Sequence, residues 1–464
     1  MTHIHSNWKN NYTNGITATD CYTGCTVITH IDDVDIGVNE YHSGLDEIPK
    51  AWGGYEFTKE STFILKLEIS SDNYSVNLAS ILGDGTVSWG DGTSTVGELT
   101  HTYSTAGTYV IKGKFMPTAG VSFANENLRN TVTEVHQIAD NFEGKLARNL
   151  FREFRKLTYV NLNNWNRDKK GKSTITEGFV NCVSLCRVDA LNVKLANNSD
   201  LYQLFMGCSS LSEINGIETW DVSCATSMGN MVKGCYNLTS SDLSSWDVSK
   251  VNNMSNMFED CKKWTDFSFM KSWDLSSVTA FNTVFARSGI SEFSGIVANN
   301  IKGYINGCFQ NCSNLTKVSY EGMNLINVTG NFYIGFTSCS SLKEVSFKNT
   351  NLQFTSAFAM FEKCDLLETI DFTSCHFNYN SDSVAYNFGL TNSVKNIIFS
   401  ENSFEGAPTV IINSTSLTVD SLLSLFNALV NIPDSRTLKI GSTNLAKLSP
   451  EQIKIATDKG WTVV

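Results

Sequence analysis

Apolar positions recur with a long, regular period in the middle of the chain. The frame is an aromatic residue, two other residues, a cysteine, two other residues and a leucine. Clear copies begin at Phe179, Phe205, Phe309, Phe336 and Phe361. A fixed period of about 24–28 residues is typical of stacked repeats, which bury their apolar faces against their neighbours. The frame therefore predicts about ten coils between residues 147 and 412.

Two shorter patterns predict the structure within a coil. Residues 342–347 read Leu-x-x-Val-x-Phe, and two apolar residues two positions apart are typical of a short strand with one buried face. Val251, Met254 and Met257 follow one another at intervals of three, which favours a short helical segment. Ser249 lies where the N-cap of that segment is expected. The sequence thus predicts an α/β solenoid with one strand and one helical turn per coil.

One cysteine per coil is expected to line the interior. Seven of the 13 cysteines lie in the repeat frame. Serine, threonine and phenylalanine take the same position in sister coils, which fits a packing site and does not fit a disulfide or a metal ligand. We therefore predict a ladder of free, buried thiols. The ladder comprises Cys182, Cys208, Cys235, Cys261, Cys312, Cys339 and Cys364.

Residues 246–261 resemble the leucine-rich repeats of bacterial surface proteins. They read Trp-Asp-Val-Ser-Lys-Val-Asn-Asn-Met-Ser-Asn-Met-Phe-Glu-Asp-Cys, against a family pattern of W-D-[VT]-S-x-V-x-x-M-x-x-M-F-x-x-C-x-x-L. The Trp-Asp element also begins at Trp220 and Trp273, and it is lost in the coils after residue 285. The resemblance implies a leucine-rich repeat scaffold used in adhesion, of a kind found in surface proteins and in phage proteins alike.

The region before the array contains the pattern of an all-β unit. Residues 63–69 alternate as a strand, and Gly90-Asp91-Gly92 favours a tight hairpin because glycine tolerates a positive φ. The stretches 85–93 and 101–111 resemble the motifs of the polycystic-kidney-disease (PKD) type of domain. This resemblance implies an immunoglobulin-like, PKD-like sandwich over residues 55–118 that acts as a spacer. We expect a docking segment at 1–54 and a linker with an N-terminal cap at 119–146.

The C-terminal residues 413–464 are expected to form an ordered α/β cap on the array. Thr418 is an N-cap candidate for a helix that Pro433 stops. Ser449-Pro450-Glu451-Gln452 has the arrangement of a capping box with proline at the first helical position. A final strand follows at 461–464. Residues 441–448 and 459–462 resemble the C-terminal ending of repeat proteins encoded by phages.

Twelve polar positions alternate with the buried residues of the predicted strands and form a candidate binding face. The row is mixed in charge and poor in aromatic residues, which does not favour a lectin. A merely solvated sheet face explains the row equally well. The candidates are Glu213, Asn215, Asp266, Ser268, Glu292, Ser294, Lys317, Ser319, Glu344, Ser346, Thr369 and Asp371.

Metal binding is not expected. The N-terminal segment contains five residues of zinc-ligand type, namely His3, His5, Cys21, Cys25 and His30. The two cysteines have a tolerable spacing, but the first two histidines would lie at a frayed chain end. The acidic stretch 32–40 lacks the glycine and the ligand spacing of a calcium loop. Ordinary surface and core roles explain these residues better.

Composition and charge exclude several classes of function. The net charge of −11 argues against sequence-independent nucleic-acid binding, which requires clustered lysine and arginine. No apolar run reaches the about 18 residues of a membrane helix, so we expect no membrane insertion. Residues 1–8 lack a basic region followed by an apolar stretch, so we expect no secretory signal. No catalytic set of residues is apparent, so neither an enzyme nor a cofactor is expected.

These observations together predict a non-enzymatic phage virion protein. It would be a tail, fibre or capsid-decoration component that presents the repeats for host attachment, because a virion protein is released by lysis and needs no signal. Its partners would be other virion proteins, bound through residues 1–54, and a host surface protein or glycan. A homo-oligomer is compatible with the sequence. The alternatives are a bacterial cell-surface adhesin, which would be extracellular, and an intracellular interaction scaffold.

Overall fold

The structure describes most of the chain from residue 63 onwards. It is a computed structural model, and it describes residues 63–78, 86–114, 126–138, 149, 151–163, 176–195, 200–296, 307–325, 335–354, 360–379, 386–388, 390–401, 404, 409–432 and 436–464, together with residues 3–4 and 30–31. The expected docking segment 1–54 therefore lies outside the described residues, apart from two short strands. His5, Cys21 and Cys25 lie outside them as well.

Twenty-four strands and four α-helices are described. In chain order the strands are β1 His3–Ile4, β2 His30–Ile31, β3 Phe63–Ile69, β4 Tyr74–Asn77, β5 Thr86–Ser88, β6 Ser94–Val96, β7 Thr100–Tyr103, β8 Gly107–Lys114, β9 Val132–Ile138, β10 Tyr159–Asn161, β11 Arg187–Asp189, β12 Glu213–Asn215, β13 Glu292–Phe293, β14 Lys317–Ser319, β15 Asn324–Leu325, β16 Glu344–Ser346, β17 Asn351–Phe354, β18 Thr369–Phe372, β19 His376–Tyr379, β20 Tyr386–Asn387, β21 Asn396–Phe399, β22 Thr409–Ile411, β23 Arg436–Lys439 and β24 Trp461–Val463. The α-helices are α1 Glu126–Arg129, α2 Val419–Ala428, α3 Ser442–Leu445 and α4 Pro450–Thr457.

Parallel strands from successive coils form the wall of the array. Strands β9, β10, β11 and β12 pair in parallel, and so do β13, β14, β16, β18 and β21 in a second sheet. The register places equivalent residues side by side, as with Val160, Val188 and Ile214. A third parallel sheet, β15-β17-β19, lies in coils that lack the Trp-Asp element. The array is a β-solenoid of about nine turns, close to the expected ten.

The coils consist of strands and turns rather than strands and helices. Within the described part of residues 147–412 there are two short 3₁₀ helices, η1 Ile217–Thr219 and η2 Ser268–Ser272, and no α-helix. The expectation of an α/β solenoid is therefore wrong for the array, although the repeat itself and its short strands are confirmed.

Hydrogen bonds between coils explain why the expected helical segment does not form. The backbone N–H of Met254 donates to the carbonyl of Ala280 at 2.8 Å, and that of Asn256 donates to Asn282 at 2.9 Å. These acceptors lie in the next coil. An α-helix requires the same N–H groups to donate four residues back along the chain. The spacing of the methionines therefore reflects burial at a corner, and Met257 packs inward without a helix.

The Trp-Asp-Val-Ser element closes a turn through its aspartate. The Asp247 carboxylate accepts a hydrogen bond from the backbone N–H of Ser249 at 3.1 Å. Aspartate commonly bonds its own backbone two residues on and so stabilises a turn. The expected N-cap at Ser249 is therefore wrong, because the aspartate is the acceptor and no helix follows.

Each corner contains residues in the left-handed backbone conformation. In the coil of Cys261 they lie one and five positions before the cysteine, with φ of 64° at Asp260 and 58° at Asn256. Gly207 and Gly234 take the first of these positions in two other coils, with φ of 77° and 76°. This conformation costs other residues about 1–2 kcal/mol. Glycine, asparagine or aspartate takes several of these positions and favours the corner over a continuing helix, whereas Gln203, Arg287 and Lys363 adopt the same conformation in other coils.

Aromatic side chains stack from coil to coil inside the solenoid. Neighbouring rings of the main row lie 5.4–6.3 Å apart with interplanar angles of 3–8°. Such contacts contribute about 0.5–1.5 kcal/mol each beyond their burial. The four rows are Phe258, Phe285, Phe309, Phe336 and Phe361; Phe151, Phe179 and Phe205; Tyr320, Phe347, Phe372 and Phe399; and Trp220, Trp246 and Trp273.

The N-terminal strands continue the sheet of the solenoid. Strand β3 pairs antiparallel with β8 on one side and with β9 on the other, while β9 pairs in parallel with β10. The result is one eight-stranded sheet in the order β12-β11-β10-β9-β3-β8-β5-β6. Strands β4 and β7 form a separate antiparallel pair. The strand expected at residues 63–69 is confirmed, whereas a separate immunoglobulin-like sandwich is not.

The hairpin between β5 and β6 forms as the sequence predicts. Asp91 accepts a hydrogen bond from the backbone N–H of Thr93 at 2.9 Å, and its other oxygen lies 2.7 Å from Nε2 of His101. Gly90 has a φ of 82°, and a Cβ atom there would lie 2.5 Å from the carbonyl oxygen of Val110. Glycine is thus required at this position by its backbone conformation and by its surroundings.

The C-terminal elements expected from the sequence are confirmed. The Thr418 side chain accepts from the N–H of Ser421 at the start of α2, which ends before Pro433. The capping box of α4 is complete, because Ser449 and Gln452 each bond the other's backbone N–H. The final strand β24 closes a four-stranded parallel sheet, β20-β22-β23-β24.

Helix α2 covers the last strand of the second parallel sheet. The Ser421 hydroxyl accepts from the backbone N–H of Ile397 in β21 at 2.8 Å. The backbone N–H of Thr418 donates to the carbonyl of Lys395 at 2.9 Å. An uncovered strand edge invites pairing with other chains, and this helix occupies the position where the next coil would otherwise lie.

Candidate interaction face

The second parallel sheet brings part of the predicted face together. Glu292, Lys317, Glu344 and Thr369 are successive partners in the strand register. The ammonium group of Lys317 lies 3.1 Å from the Glu344 carboxylate, and both side chains keep more than 40% of their surface exposed. Ser294 donates its hydroxyl to Glu292 at 2.7 Å. These side chains form one exposed row across the sheet.

Three of the predicted residues have a local structural role. Ser319, Ser346 and Asp371 are partners in the register, one in each of three coils. Each accepts a hydrogen bond from the backbone N–H two residues further on, at 2.7–3.3 Å. Ser346 is almost completely buried. These side chains close the turn after each strand, so their acceptor atoms are already engaged by the backbone and are less available to a ligand.

The predicted face is interrupted at the coils around residues 240 and 266. Asp266 and Ser268 are exposed, but they lie outside any strand, and the Asp266 carboxylate accepts from the N–H of Ser268 at 2.8 Å. The hydroxyl of Ser240 accepts from the N–H groups of Thr265 and Asp266. Because a side-chain oxygen takes the place of the backbone carbonyl, no strand ladder forms here. The twelve candidates therefore do not form one continuous row.

The other two candidates, Glu213 and Asn215, belong to a polar cluster that the sequence alone did not reveal. The cluster lies on the outward side of β3, β9, β10, β11 and β12, where the N-terminal strands meet the solenoid. We refer to it as the junction patch. It comprises Lys66, Glu134, His136, Tyr159, Arg187, Asp189, Glu213 and Asn215.

Asp189 is the centre of the junction patch. Its carboxylate accepts from the hydroxyl of Tyr159 at 2.8 Å, from Arg187 at 2.9 and 3.0 Å, and from the amide of Asn215 at 2.8 Å. Arg187 also lies 3.6 Å from the Glu213 carboxylate. Hydrogen bonds from a guanidinium to a carboxylate are among the stronger ones in proteins. Three neighbouring strands are thereby linked through one side chain.

Glu134 organises the other end of the junction patch. Lys66 lies 2.6 Å from one of its oxygens and His136 lies 2.8 Å from the other. Burial by itself raises the pKa of Glu134, but the hydrogen bonds from His136 and Lys66 outweigh it and lower the pKa to about 2. The carboxylate is therefore ionised and paired at any physiological pH.

The repeat frame itself contained the signal for this cluster. Leu157-x-x-Val160 and Leu185-x-x-Val188 have the same form as the later strands. The residues next to the buried valines, such as Tyr159 and Arg187, must then point outward. The contribution of β3 and β9 could not be read in this way, because β3 is antiparallel and comes from outside the array.

The seven ladder cysteines lie in the interior, one per coil. All seven are buried and free. Each thiol donates to a carbonyl oxygen of the preceding coil at 2.9–3.2 Å, as Cys208 does to Phe179. Burial raises the pKa of Cys364 to about 12 and raises that of Cys235 still further. The ladder thiols donate these hydrogen bonds, and a thiol that keeps its proton is a poor nucleophile.

The remaining cysteines differ in their surroundings. Cys308 and Cys375 are buried, Cys224 is half-buried and Cys186 is exposed, and none of these four forms a disulfide. Within the ranges that the structure describes, no three His, Cys, Asp or Glu side chains are arranged to hold a metal ion. Strands β1 and β2 place His3 and His30 as backbone partners.

The fold therefore defines this protein as a β-solenoid whose strands carry polar side chains on their outward face. None of the helices in the described part of the chain is long and apolar enough to span a membrane. Residues 173–297 match a family model described as "Mycoplasma protein of unknown function, DUF285". This match includes the three coils with the Trp-Asp element. No curated protein gives a significant match.

Several solved structures are similar to this chain at low sequence identity. A leucine-rich cell-surface protein from Faecalibacterium prausnitzii is 14% identical, with 72% of this chain and 94% of that chain covered and a TM-score of 0.29. A leucine-rich repeat protein from Bacteroides ovatus is 15% identical, with 74% and 97% covered and a TM-score of 0.24. An internalin from Listeria monocytogenes is 10% identical, with 56% and 75% covered and a TM-score of 0.18.

Proposed function

We propose that this protein is a non-enzymatic interaction protein that binds other molecules through the outward face of its parallel strands. The observation that supports this proposal is that polar side chains of neighbouring coils are paired across that face. Lys317 pairs with Glu344 in one sheet, and Arg187 pairs with Asp189 and Glu213 in the other. Each added coil extends such a face by one strand, so a solenoid provides a long surface on a rigid support.

The proposed location is outside the bacterial cytoplasm. The resemblance of residues 246–261 to the repeats of bacterial surface proteins supports it. The finer proposal is a phage tail, fibre or capsid-decoration protein, with residues 1–54 contacting other virion proteins and the repeats contacting a host surface protein or glycan. It is supported by the resemblance of residues 441–448 to the ends of phage-encoded repeat proteins. A bacterial surface adhesin is the alternative.

Mass spectrometry of purified particles and of surface-labelled bacteria separates these locations. Recovery of the chain from purified virions in stoichiometric amounts supports the virion proposal. Recovery only among surface-labelled bacterial proteins supports the adhesin. Recovery only from the cytosolic fraction contradicts both and favours an intracellular scaffold.

Charge substitutions in the second sheet test the binding face. Lys317→Glu places three carboxylates in a row, because Glu292 and Glu344 lie on either side of it. The double variant with Glu344→Lys restores an ion pair with reversed polarity. We expect both variants to change binding of the labelled protein to a panel of bacterial cells, measured by flow cytometry. The melting temperature should hardly change in the double variant, because an exposed ion pair contributes at most about 1 kcal/mol.

The matched control exchanges an exposed ion pair away from the strand face. Lys454 and Asp458 lie 2.7 Å apart on α4, and both are more than half exposed. Exchanging these two residues should leave cell binding unchanged. Equal binding by the wild-type protein and both sheet variants would show that this row is only a solvated surface.

A further inference from the structure

We propose that the junction patch is a binding site for a short, uncharged oligosaccharide. This inference rests on the proposed function and specifies one ligand class for one part of the strand face. The twelve-residue row predicted from the sequence is poor in aromatic residues and did not favour sugar binding. The junction patch differs, because Tyr159 and His136 lie within it, with ring centroids 5.6 Å apart.

The size of the junction patch fits a few sugar rings. Its eight residues span five neighbouring strands, or about 19 Å at about 4.8 Å per strand, and about 7 Å along each strand. A stable protein interface buries about 800 Å² on each partner, which is several times the area of this strip. A pyranose ring has dimensions similar to the strand spacing. An extended oligosaccharide lying across the strands would therefore place successive rings over successive strands.

The charges of the junction patch favour an uncharged ligand. The Glu134 carboxylate already has Lys66 and His136 as partners, at 2.6 and 2.8 Å. The guanidinium of Arg187 is likewise held by Asp189. A charged ligand would have to break one of these pairs. A sugar hydroxyl both donates and accepts, and a carboxylate has about four acceptor sites. The four hydrogen bonds to Asp189 already use its sites, so the hydroxyls would add hydrogen bonds at Glu134, which has one partner on each oxygen.

The junction patch is also held rigidly before any ligand binds. The side chains of Arg187 and Asp189 are only 13% and 14% exposed, and that of His136 is 14% exposed. Asp189 fixes the planar groups of Tyr159 and Asn215 through hydrogen bonds of 2.8 Å. Side chains that are already ordered lose less conformational entropy on binding. Planar polar groups beside aromatic rings can bond sugar hydroxyls. The Arg187 guanidinium lies over the Tyr159 ring, 6.0 Å from its centroid, so C–H groups of the sugar would contact only the part of the ring that Arg187 leaves open.

A glycan array with the full-length chain tests the proposal. The array should carry neutral hexose and N-acetylhexosamine oligosaccharides beside the same series with sialic or uronic acids. We expect binding to at least one neutral series, with calorimetry on its soluble tetrasaccharide giving the Kd. Asp189→Asn removes the charge that holds Arg187 and should weaken binding at least tenfold. Tyr159→Phe removes one hydroxyl and should weaken it several-fold while leaving the fold unchanged.

The control variant is Lys454→Gln, which removes an exposed charge on α4, away from the strand face. It should bind the tetrasaccharide as the wild-type protein does. The proposal is overturned if no neutral oligosaccharide binds, if only acidic ones bind, or if Tyr159→Phe and Asp189→Asn both bind as tightly as the wild type. Cell binding without any glycan binding would leave the interaction function standing. Binding to glycans without binding to cells would reject the proposed role in cell attachment and leave the glycan site standing.

Discussion

The repeated cysteine is a packing residue with one directional contact. Cys235 is completely buried and donates its thiol to the carbonyl of Phe205 in the preceding coil at 3.2 Å. The longer bond from carbon to sulfur lets a small side chain reach that carbonyl. Ser288 takes the same position in one coil, but its hydroxyl accepts from Ile290 within its own coil. Serine therefore fits the site without joining neighbouring coils.

Burial of the thiols predicts a loss of stability at alkaline pH. The folded pKa of Cys364 is raised by burial to about 12, whereas a thiol in an unfolded chain has a pKa of about 8.5. The contribution of this thiol to the free energy of unfolding is complete below about pH 8.5. It is lost as the pH rises towards 12, because the unfolded chain releases the proton first. We expect the melting temperature to fall steadily between pH 8.5 and 10.5, and less steeply in Cys364→Ser.

Cys186 provides the comparison for this experiment. Its thiol is exposed, so Cys186→Ser should leave the pH profile as it is in the wild-type protein. A melting temperature that is constant from pH 8 to 10.5, measured by circular dichroism with reductant present, would contradict the protonated ladder.

The corner is the element that distinguishes this solenoid from the one expected. Its backbone N–H groups alternate between acceptors within the coil and acceptors in the next coil. Phe258 donates to Val284 of the next coil, whereas Cys261 donates back to Phe258. The two left-handed residues of each corner turn the chain so that this alternation is satisfied. A corner of this kind contributes backbone hydrogen bonds between neighbouring coils, whereas an α-helix would keep its backbone hydrogen bonds within itself.

Two glycines allow the corner conformation to be tested. Gly207 and Gly234 have nearly the same φ, but a Cβ at Gly207 would collide with the side chain of Asn181, whereas its nearest neighbour at Gly234 lies 3.5 Å away. Gly234→Ala should therefore cost about 1–2 kcal/mol from backbone strain alone. Gly207→Ala should cost more. Urea unfolding of both variants measures the difference in their unfolding free energies. Equal losses would show that the contact with the Asn181 side chain does not affect stability.

The sequence predicted the repeat, the buried positions and the strands better than it predicted the corners. Phe-x-x-Cys-x-x-Leu and Leu-x-x-Val-x-Phe fix which side chains are buried, and burial dominates the energetics. The spacing of Val251, Met254 and Met257 is compatible with a helix and with a corner. Only the partners of the backbone N–H groups decide between them, and those partners lie about one coil away in the sequence.

The candidate site was predicted only in part for a similar reason. Glu292, Lys317 and Glu344 could be placed side by side because the repeat supplies their register. Lys66 reaches Glu134 across an antiparallel pairing between the N-terminal strands and the solenoid. No repeat relates these two strands, so the sequence pattern contains no information about their register.

At the scale of the whole molecule, the N-terminal strands and the solenoid share one sheet. Strand β3 covers the first parallel strand, β9, and side chains reinforce the contact. A solenoid end without such a cover would expose a strand edge. The described strands of the region that the sequence resemblance implied to be a spacer therefore continue the sheet of the array, and we expect the two regions to unfold together.

Hydrogen exchange measured by mass spectrometry on the full chain tests this continuity. Amides in β3 and β9 should be protected as strongly as those in β10 and β11, because all of them are paired on both sides. Strand β6 has β5 as its partner at the edge of the same sheet and should exchange faster. Rapid exchange in β3 together with slow exchange in β10 would show that the N-terminal strands open independently.

The hydrogen bonds that join the coils run along the axis of the solenoid, and this direction determines how the molecule would respond to pulling. A force applied at the two ends loads the bonds between neighbouring coils in series, and the coils then separate one at a time. Cys182 and Cys208 lie 26 residues apart, and 26 extended residues span up to about 90 Å. A protein tethered between a particle and a moving cell would therefore lengthen in steps of that size. It would absorb mechanical energy while both of its ends stay attached.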